Sequence, residues 1–308
     1  MKIFGVGLYF KSYRKQTVSR KRLLGRVGIC FVFALFLFPQ AEAQEELDVP
    51  YVSTPHNIVE EMLDVADVGP GDYVIDLGCG DGRIVIAAAR RGAVGHGVDL
   101  DPERIREARE NARRSGVSDR VMFLKENIFK TDISRASVVT MYLLSSVNDR
   151  LRPRLLDELE PGTRIVSHDF DMGTWTPDEY KKVTHADDEE RGWKSGQLME
   201  ADNHEIYCWI VPADIEGRWN WQINGKNFTL NVEQKFQEIK PQLTVGGNSL
   251  TIEDKMLRGD RISLTAVNTA DATHYVFNGR IVGNQIKGKV QIRSTTKNLI
   301  KDWSAVRN

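Results

Sequence analysis

Residues 73–83 read Tyr73-Val74-Ile75-Asp76-Leu77-Gly78-Cys79-Gly80-Asp81-Gly82-Arg83. An apolar run ends in an acid and a glycine-rich turn, and Arg83-Ile84-Val85-Ile86-Ala87-Ala88-Ala89-Arg90 then reads as a helix. A buried parallel strand feeding a tight turn into a helix N-terminus builds a nucleotide-class site. Glycine lets the backbone come close to a ligand, and the free N–H groups of the first helical turn favour a negative group. Spacing separates the possible ligands. Gly78, Gly80 and Gly82 give G-x-G-x-G, whereas a dinucleotide fingerprint wants G-x-G-x-x-G, and its last place holds Arg83.

Asp76 stands two residues before the first glycine, where a carboxylate at a strand tip can hold a cationic ammonium. An ammonium, a carboxylate and a ribose together describe S-adenosylmethionine better than NAD. The run Asp76-Leu77-Gly78-Cys79-Gly80-Asp81-Gly82 resembles the first motif of class I S-adenosylmethionine-dependent methyltransferases. Val98-Asp99-Leu100-Asp101 follows at the end of a second strand, where that family places its ribose-binding acid. The resemblance implies S-adenosylmethionine as cofactor. Gly78, Gly80 and Gly82 would pack against its methionine moiety, Asp76 would hold the ammonium, and Asp99 would accept from both ribose hydroxyls. Asn127 stands where the family usually has an adenine-contacting acid, and could pair with the adenine amino group. Asp101 reads as a helix cap ahead of Pro102.

Working outward, Asn57 to Ala66 carries a helical period, and Pro70-Gly71-Asp72 turns the chain into the first strand. Strand Val94–Leu100, helix Glu103–Ser115, strand Val121–Asn127, strand Ser137–Leu144, helix Asp149–Glu160 and strand Arg164–Phe170 follow. Such alternation predicts a doubly wound, mostly parallel α/β sheet. Two late strands, Lys181–His185 and His204–Val211, fit an antiparallel pair at its edge. Class I methyltransferases end in such a hairpin, which implies seven strands. From Asp214 the texture changes to short alternating segments punctuated by Gly246-Gly247-Asn248, Asn278-Gly279 and Gly283-Asn284. Residues 214–308 therefore read as an antiparallel β domain, a small barrel or sandwich, after a methyltransferase domain at 44–213. A ligand cavity in it is an alternative to a packed module. Trp219, Trp221 and Trp303 read as its core.

The chain has 308 residues, 41% hydrophobic and 28% charged, enough for two cores. Residues 1–43 hold eight Lys/Arg and one acid; removing them from the totals of 42 and 43 leaves 34 against 42. That balance near −8 argues against a nucleic-acid partner. The basic head precedes the apolar run Val27–Phe38 and an A-x-A-like site at Ala41-Glu42-Ala43. It reads as a signal peptide spanning residues 1–43, sending the product out of the cytoplasm, to a periplasm. An uncleaved anchor in the inner membrane is the alternative. Cys79 and Cys208 read as free, buried thiols.

On the acceptor side, Tyr142 ends the fourth strand and His168 the fifth. Tyr142 could shape the transfer slot, and His168 could act as a base near neutral pH. Each has an equally plain reading as a structural residue. Asp169 and Asp171 could attract a cationic substrate or cap their loop. His56, His96, His185 and His204 lack metal-ligand spacing, so no metal is expected. The N/D-P-P-Y/F motif of amino-methylating DNA enzymes is absent at Met141-Tyr142-Leu143-Leu144.

A narrower likeness covers residues 49–211. Pro50-Tyr51-Val52-Ser53-Thr54-Pro55 is similar to the leader of the mitochondrial lysine methyltransferases that act on the ATP synthase c-subunit and the adenine nucleotide translocase. A similar leader occurs in non-SET histone lysine methyltransferases. It implies that Tyr51 and Thr54 fold over the cofactor. Arg164-Ile165-Val166-Ser167 and the loop holding Trp175 share the likeness. The expected activity is methyl transfer to protein lysine, with a small-molecule acceptor second. A further alternative is an exported S-adenosylmethionine-binding module without turnover.

Overall fold

The structure, a computed structural model, describes residues 52–184 and 203–308. The expected signal segment, Tyr51 and His185 lie outside the described residues. Seven strands form the first sheet: β1 (Tyr73–Leu77), β2 (Val94–Asp99), β3 (Val121–Lys125), β4 (Val138–Met141), β5 (Arg164–His168), β6 (Glu179–Thr184) and β7 (Asn203–Ile210). Their order is β3-β2-β1-β4-β5-β7-β6, with β7 antiparallel to both β5 and β6. The doubly wound reading and the antiparallel edge pair both hold. After β1 the chain steps to β2 and β3, then returns to the other side for β4. The crevice of such a sheet therefore opens beyond the C-terminal ends of β1 and β4.

Helices cover both faces because alternate strand residues point oppositely. Val74 packs with Ile58, Met62 and Leu63 of α1 (His56–Val65) and with Ile84 and Ala88 of α2 (Arg83–Arg90). Helix α3 (Pro102–Arg114) joins that side through Ile105, Ala108 and Ala112. Asp101 caps α3, its Oδ1 accepting from the Glu103 N–H at 2.8 Å, with proline at the first helical position. On the opposite face Ile75 and Leu77 pack with Val147, Leu151 and Leu155 of α4 (Ser145–Glu158). Helix α4 begins a turn earlier than the expected Asp149. Burial of Val147 and Asn148 draws that turn in, and Pro153 is carried inside the helix.

The second sheet has nine antiparallel strands: β8 (Gly217–Ile223), β9 (Lys226–Lys235), β10 (Glu238–Val245), β11 (Asn248–Ser249), β12 (Thr251–Arg258), β13 (Arg261–Asn268), β14 (Thr273–Val282), β15 (Gln285–Arg293) and β16 (Asn298–Arg307). Their order is β11-β10-β9-β8-β16-β15-β14-β13-β12, and β10 returns beside β12, so the sheet is a nearly closed barrel rather than a sandwich. Trp219, Trp221, Phe228, Phe277 and Trp303 are buried in its core. Trp221 lies 5.4 Å from Phe228 and 5.0 Å from Trp303 between ring centroids.

Asn278-Gly279 is not a turn; it lies mid-strand in β14. A Cβ on Gly279 would come within 2.7 Å of Ile286 and 3.1 Å of the Trp303 ring. Glycine is there for close packing. Strand β12 escapes sequence reading because its residues are mostly exposed and a bulge falls between Ile252 and Asp254.

Among the described residues, the two sheets meet around Gly259 and around the β9–β10 turn. The Gly259 carbonyl accepts from the Ala213 N–H at 2.9 Å. The β9–β10 turn places Phe236 against Trp175, 5.4 Å between centroids. Gln237 clamps the same loop: its Oε1 accepts from Trp175 Nε1 at 2.8 Å, and its Nε2 donates to the Thr176 carbonyl at 2.7 Å.

Candidate active site

The glycine turn after β1 is built around Asp99. One carboxylate oxygen accepts from the Gly80 N–H at 3.0 Å, and the other from the Asp101 N–H at 2.9 Å. The Gly78 and Cys79 N–H groups both donate to the Val98 carbonyl. Gly78 and Gly82 have positive φ, 82° and 81°. A Cβ on Gly82 would meet the Phe123 ring at 2.7 Å and Ala108 at 2.9 Å, so this glycine seats the loop on α3 and β3. At Gly78 a Cβ would lie 3.0 Å from Leu143 at the end of β4.

Asp76 lies beneath this turn, 2% exposed. It pairs in register with Thr140 of β4 across the point where the sheet reverses, and Thr140 Oγ1 donates to Asp76 Oδ1 at 2.8 Å. Burial pushes the Asp76 carboxyl up to about 7, against the pull of the Thr140 hydroxyl, and nearby Asp99 and Asp81 push the same way. Among the described residues, this buried carboxyl has one hydroxyl donor, two acidic neighbours and no counter-charge. An ammonium group would supply it, so the residues present fit the methionine end of S-adenosylmethionine.

A second cluster gathers at the ends of β4, β5 and β7. Thr54 Oγ1 lies 3.1 Å from His168 Nδ1, and His168 Nε2 lies 2.8 Å from His204 Nδ1. The Tyr142 ring packs on His168, centroids 4.0 Å apart, and the Tyr142 hydroxyl reaches Asp169 Oδ2 at 3.4 Å. His168 is fully buried. Burial pushes it down to about 4; Asp169 works in the opposite direction and His204 adds to the fall. For Asp169 burial acts upward, but the neighbouring His204 and His168 and the Glu205 N–H outweigh it and hold the carboxyl below its usual range.

Arg83 joins the two clusters. Its guanidinium grips the Asp81 carboxylate at 2.7 Å and donates to the Thr54 carbonyl at 2.8 Å. Asp76, Gly78, Gly80, Gly82 and Asp99 thus share one turn, while Thr54, Tyr142 and His168 share the neighbouring cluster. Asn127 belongs to neither. Its side chain accepts from the Phe129 N–H at 2.8 Å, and it lines a cavity of about 590 Å³ with Tyr73, His96 and Lys130.

Sequence reading missed Arg83, Thr140 and Asn148. Arg83 stood out there only as the residue that spoils a dinucleotide fingerprint. Asn148 is fully buried and donates to the carbonyls of Phe170 and Asp171, both at 3.1 Å, fixing the loop after β5. A polar residue on the apolar face of α4 was the available signal.

A strand order of this kind, with an acid and a glycine turn at the reversal point, defines a class I S-adenosylmethionine-dependent methyltransferase. A family model described as ANTKMT methyltransferase domain matches residues 76–179. A protein-lysine N-methyltransferase of Saccharolobus islandicus is 46% identical over 167 residues, covering 53% of this chain and 94% of the relative. The chain belongs to the same family. The adenine nucleotide translocase lysine N-methyltransferase of mouse is 36% identical, over 49% of this chain and 66% of the relative. The human lysine N-methyltransferase of the ATP synthase c-subunit is 31% identical, over 51% and 67%. These names bear out the expected likeness to the mitochondrial group. Among solved structures, an RNA methyltransferase from Salinibacter ruber, in complex with S-adenosyl-L-homocysteine, is 45% identical with a TM-score of 0.45, covering 53% of this chain and 96% of that one.

Proposed function

We propose that this chain transfers a methyl group from S-adenosylmethionine to the side-chain amine of a protein lysine. The buried, uncompensated Asp76 carboxyl beneath a glycine turn carries this reading, and the 46% identity to the protein-lysine N-methyltransferase of Saccharolobus islandicus supports the acceptor.

The bound cofactor supplies an electrophilic methyl on its sulfonium. Asp76 would ionise and hold the ammonium group, with Thr140 keeping the carboxylate in place. Asp99 has lone pairs left for ribose hydroxyls after accepting its two backbone N–H groups. Thr54, drawn in by Arg83, would close one side of the slot, and the Tyr142 ring would wall the other. Asp171 and Glu205 put negative charge at the rim. Hydrogen bonds from the Tyr207 and Tyr180 hydroxyls hold Glu205 below the usual carboxylate range, so it stays ionised to meet a lysine ammonium. That ammonium must lose its proton before its nitrogen can attack.

The catalytic part is taken as residues 44–213, the β domain as 214–308 and residues 1–43 as a signal peptide that exports the product. Among the described residues no helix is long and apolar enough to cross a membrane. N-terminal sequencing after cell fractionation tests export: a mature start at Gln44 supports it, and a cytoplasmic chain keeping Met1 defeats it.

For the reaction, the purified chain is incubated with methyl-labelled S-adenosylmethionine and a protein extract, and the hydrolysate is searched for methyl-lysines. Label in lysine, lost with Asp99→Ala, is expected. Label confined to nucleic acid or small molecules, or binding without any transfer, would overturn the proposal.

A further inference from the structure

Three atoms at the tips of β5 and β7 form a small triangle. His168 Nε2 lies 2.8 Å from His204 Nδ1 and 3.3 Å from Asp169 Oδ2, and the same Oδ2 lies 3.5 Å from His204 Nδ1. The circle through these atoms has a radius of about 1.9 Å, so a point about 2.1 Å from all three exists just off their plane. That is the bond length at which Zn²⁺ holds imidazole nitrogen and carboxylate oxygen. We propose that His168, Asp169 and His204 form a binding site for a zinc-class divalent transition metal.

A pure hydrogen-bond network accounts for the triangle less well. Two ring nitrogens can share one proton across 2.8 Å. The two edges to the carboxylate, 3.3 and 3.5 Å, exceed the roughly 2.7–2.9 Å of a charge-assisted N–H···O bond. The carboxylate edges of 3.3 and 3.5 Å lie close to the edge of a tetrahedral coordination polyhedron, about 3.4 Å at such bond lengths, and the 2.8 Å edge would open by a few tenths of an ångström towards the octahedral value of about 3.0 Å. Two imidazoles and one carboxylate select zinc, iron(II), cobalt or nickel over calcium or magnesium, which prefer all-oxygen sets.

The outer contacts fit a ligand set as well. The Thr54 hydroxyl, 3.1 Å from His168 Nδ1, can accept that nitrogen's proton and leave the Nε2 lone pair facing the ion. The Glu205 N–H donates to Asp169 Oδ1 at 2.9 Å, occupying the oxygen that does not face the triangle. His168 is sealed, but the side chains of His204 and Asp169 are 15% and 25% exposed, so an ion can enter from their side. Bound there, it would pin β5, β7 and the segment holding Thr54 to one another, three parts of the chain far apart in sequence. The site is argued from its own geometry and stands whether or not lysine is the acceptor.

The test uses the full purified chain, stripped with chelator and titrated with Co²⁺ and Zn²⁺. Expected are a Co²⁺ ligand-field band at one equivalent, its displacement by Zn²⁺, and a rise of Tm with Zn²⁺. Thr54→Val should weaken Zn²⁺ binding about tenfold, the smaller end of an outer-shell loss. His204→Ala and Asp169→Asn should each weaken it by more than the roughly 100-fold upper end of that range. His274→Ala, at an exposed pair on the other sheet, should change nothing. Far-ultraviolet circular dichroism establishes that each variant is folded. Absence of any band or Tm shift in the parent chain would overturn the site, as would binding that His204→Ala and Asp169→Asn both retain unweakened.

Discussion

Asp76 and Asp169 are the same residue at the ends of neighbouring structural units, and the protein drives them in opposite directions. Asp76 has one hydroxyl donor and two acidic neighbours, and burial carries its carboxyl up to about 7. Asp169 has two histidines and a backbone N–H, and these overcome its burial and hold it low. One end of the site is left short of positive charge, and the other is already provided for. The difference separates a carboxyl with no opposite charge beside it from one whose nitrogen neighbours are already set against it by the fold.

The largest expected effect comes from breaking the first half of that contrast. Because the folded-state pKa of Asp76 is raised, the stability it contributes is fully present below about 3.8 and is lost as pH rises through about 7. The gap between those values corresponds to roughly 4 kcal/mol. Asp76→Asn should therefore flatten that pH dependence and raise the Tm of the cofactor-free protein at pH 8, measured by calorimetry. Cofactor affinity should run the other way. In the parent chain it tightens as pH rises towards 7 and then levels off, and in Asp76→Asn it is weak throughout. A variant that binds S-adenosylmethionine as well as the parent would remove Asp76 from the site.

Asp99→Ala comes next. Loss of hydrogen bonds to a charged group should weaken cofactor binding by about 1.5–3 kcal/mol, read by titration calorimetry. Stability should also fall, by about 1 kcal/mol, since the Gly80 and Asp101 N–H groups both lose their acceptor.

That second loss marks how far the sequence could be read. Asp76 through Gly82 form one contiguous run, and strand–turn–helix chemistry makes such a run legible. From the sequence alone Asp99 reads as a free strand tip; its hold on the glycine turn depends on a strand that pairs only in three dimensions. The second cluster draws Thr54, Tyr142, His168 and His204 from four separate segments. Each pair is hidden by sequence distance, 114 residues for Thr54 and His168 and 36 for His168 and His204. His204 gives no ligand spacing along the chain, yet β7 returns antiparallel beside β5 and brings the two rings together. The barrel shows the same limit: β12 lacks alternation, and Gly279 imitates a turn while serving a tryptophan.

A smaller effect tests whether the two ends are supported differently. The loop after β5, which carries Asp171 and Trp175, rests on Phe236 and Gln237 of the barrel, whereas no barrel residue contributes to the glycine-turn hydrogen bonds described above. Phe236→Ala removes a partly buried ring and should lower stability by about 1–3 kcal/mol. Its kinetic signature should be one-sided: a higher KM for the protein acceptor with an unchanged Kd for S-adenosylmethionine. Equal losses at both would mean that the barrel holds the whole site.

The smallest effect concerns Asp169 in chelated, metal-free protein. Its folded-state pKa is depressed, so its contribution to stability is present above the unfolded value and is lost as pH falls through the folded one. The side chain is a quarter exposed, so solvent screens its interactions and the contribution should be only a fraction of that at Asp76. Asp169→Asn should lower Tm slightly at pH 6 and converge with the parent as pH falls through the depressed folded-state pKa, opposite in sign to Asp76→Asn. Melting curves of the two variants from pH 3 to 8 set the slopes side by side. Slopes of the same sign would mean that His168 and His204 do not compensate Asp169, and the distinction between an uncompensated and a compensated carboxyl would fail.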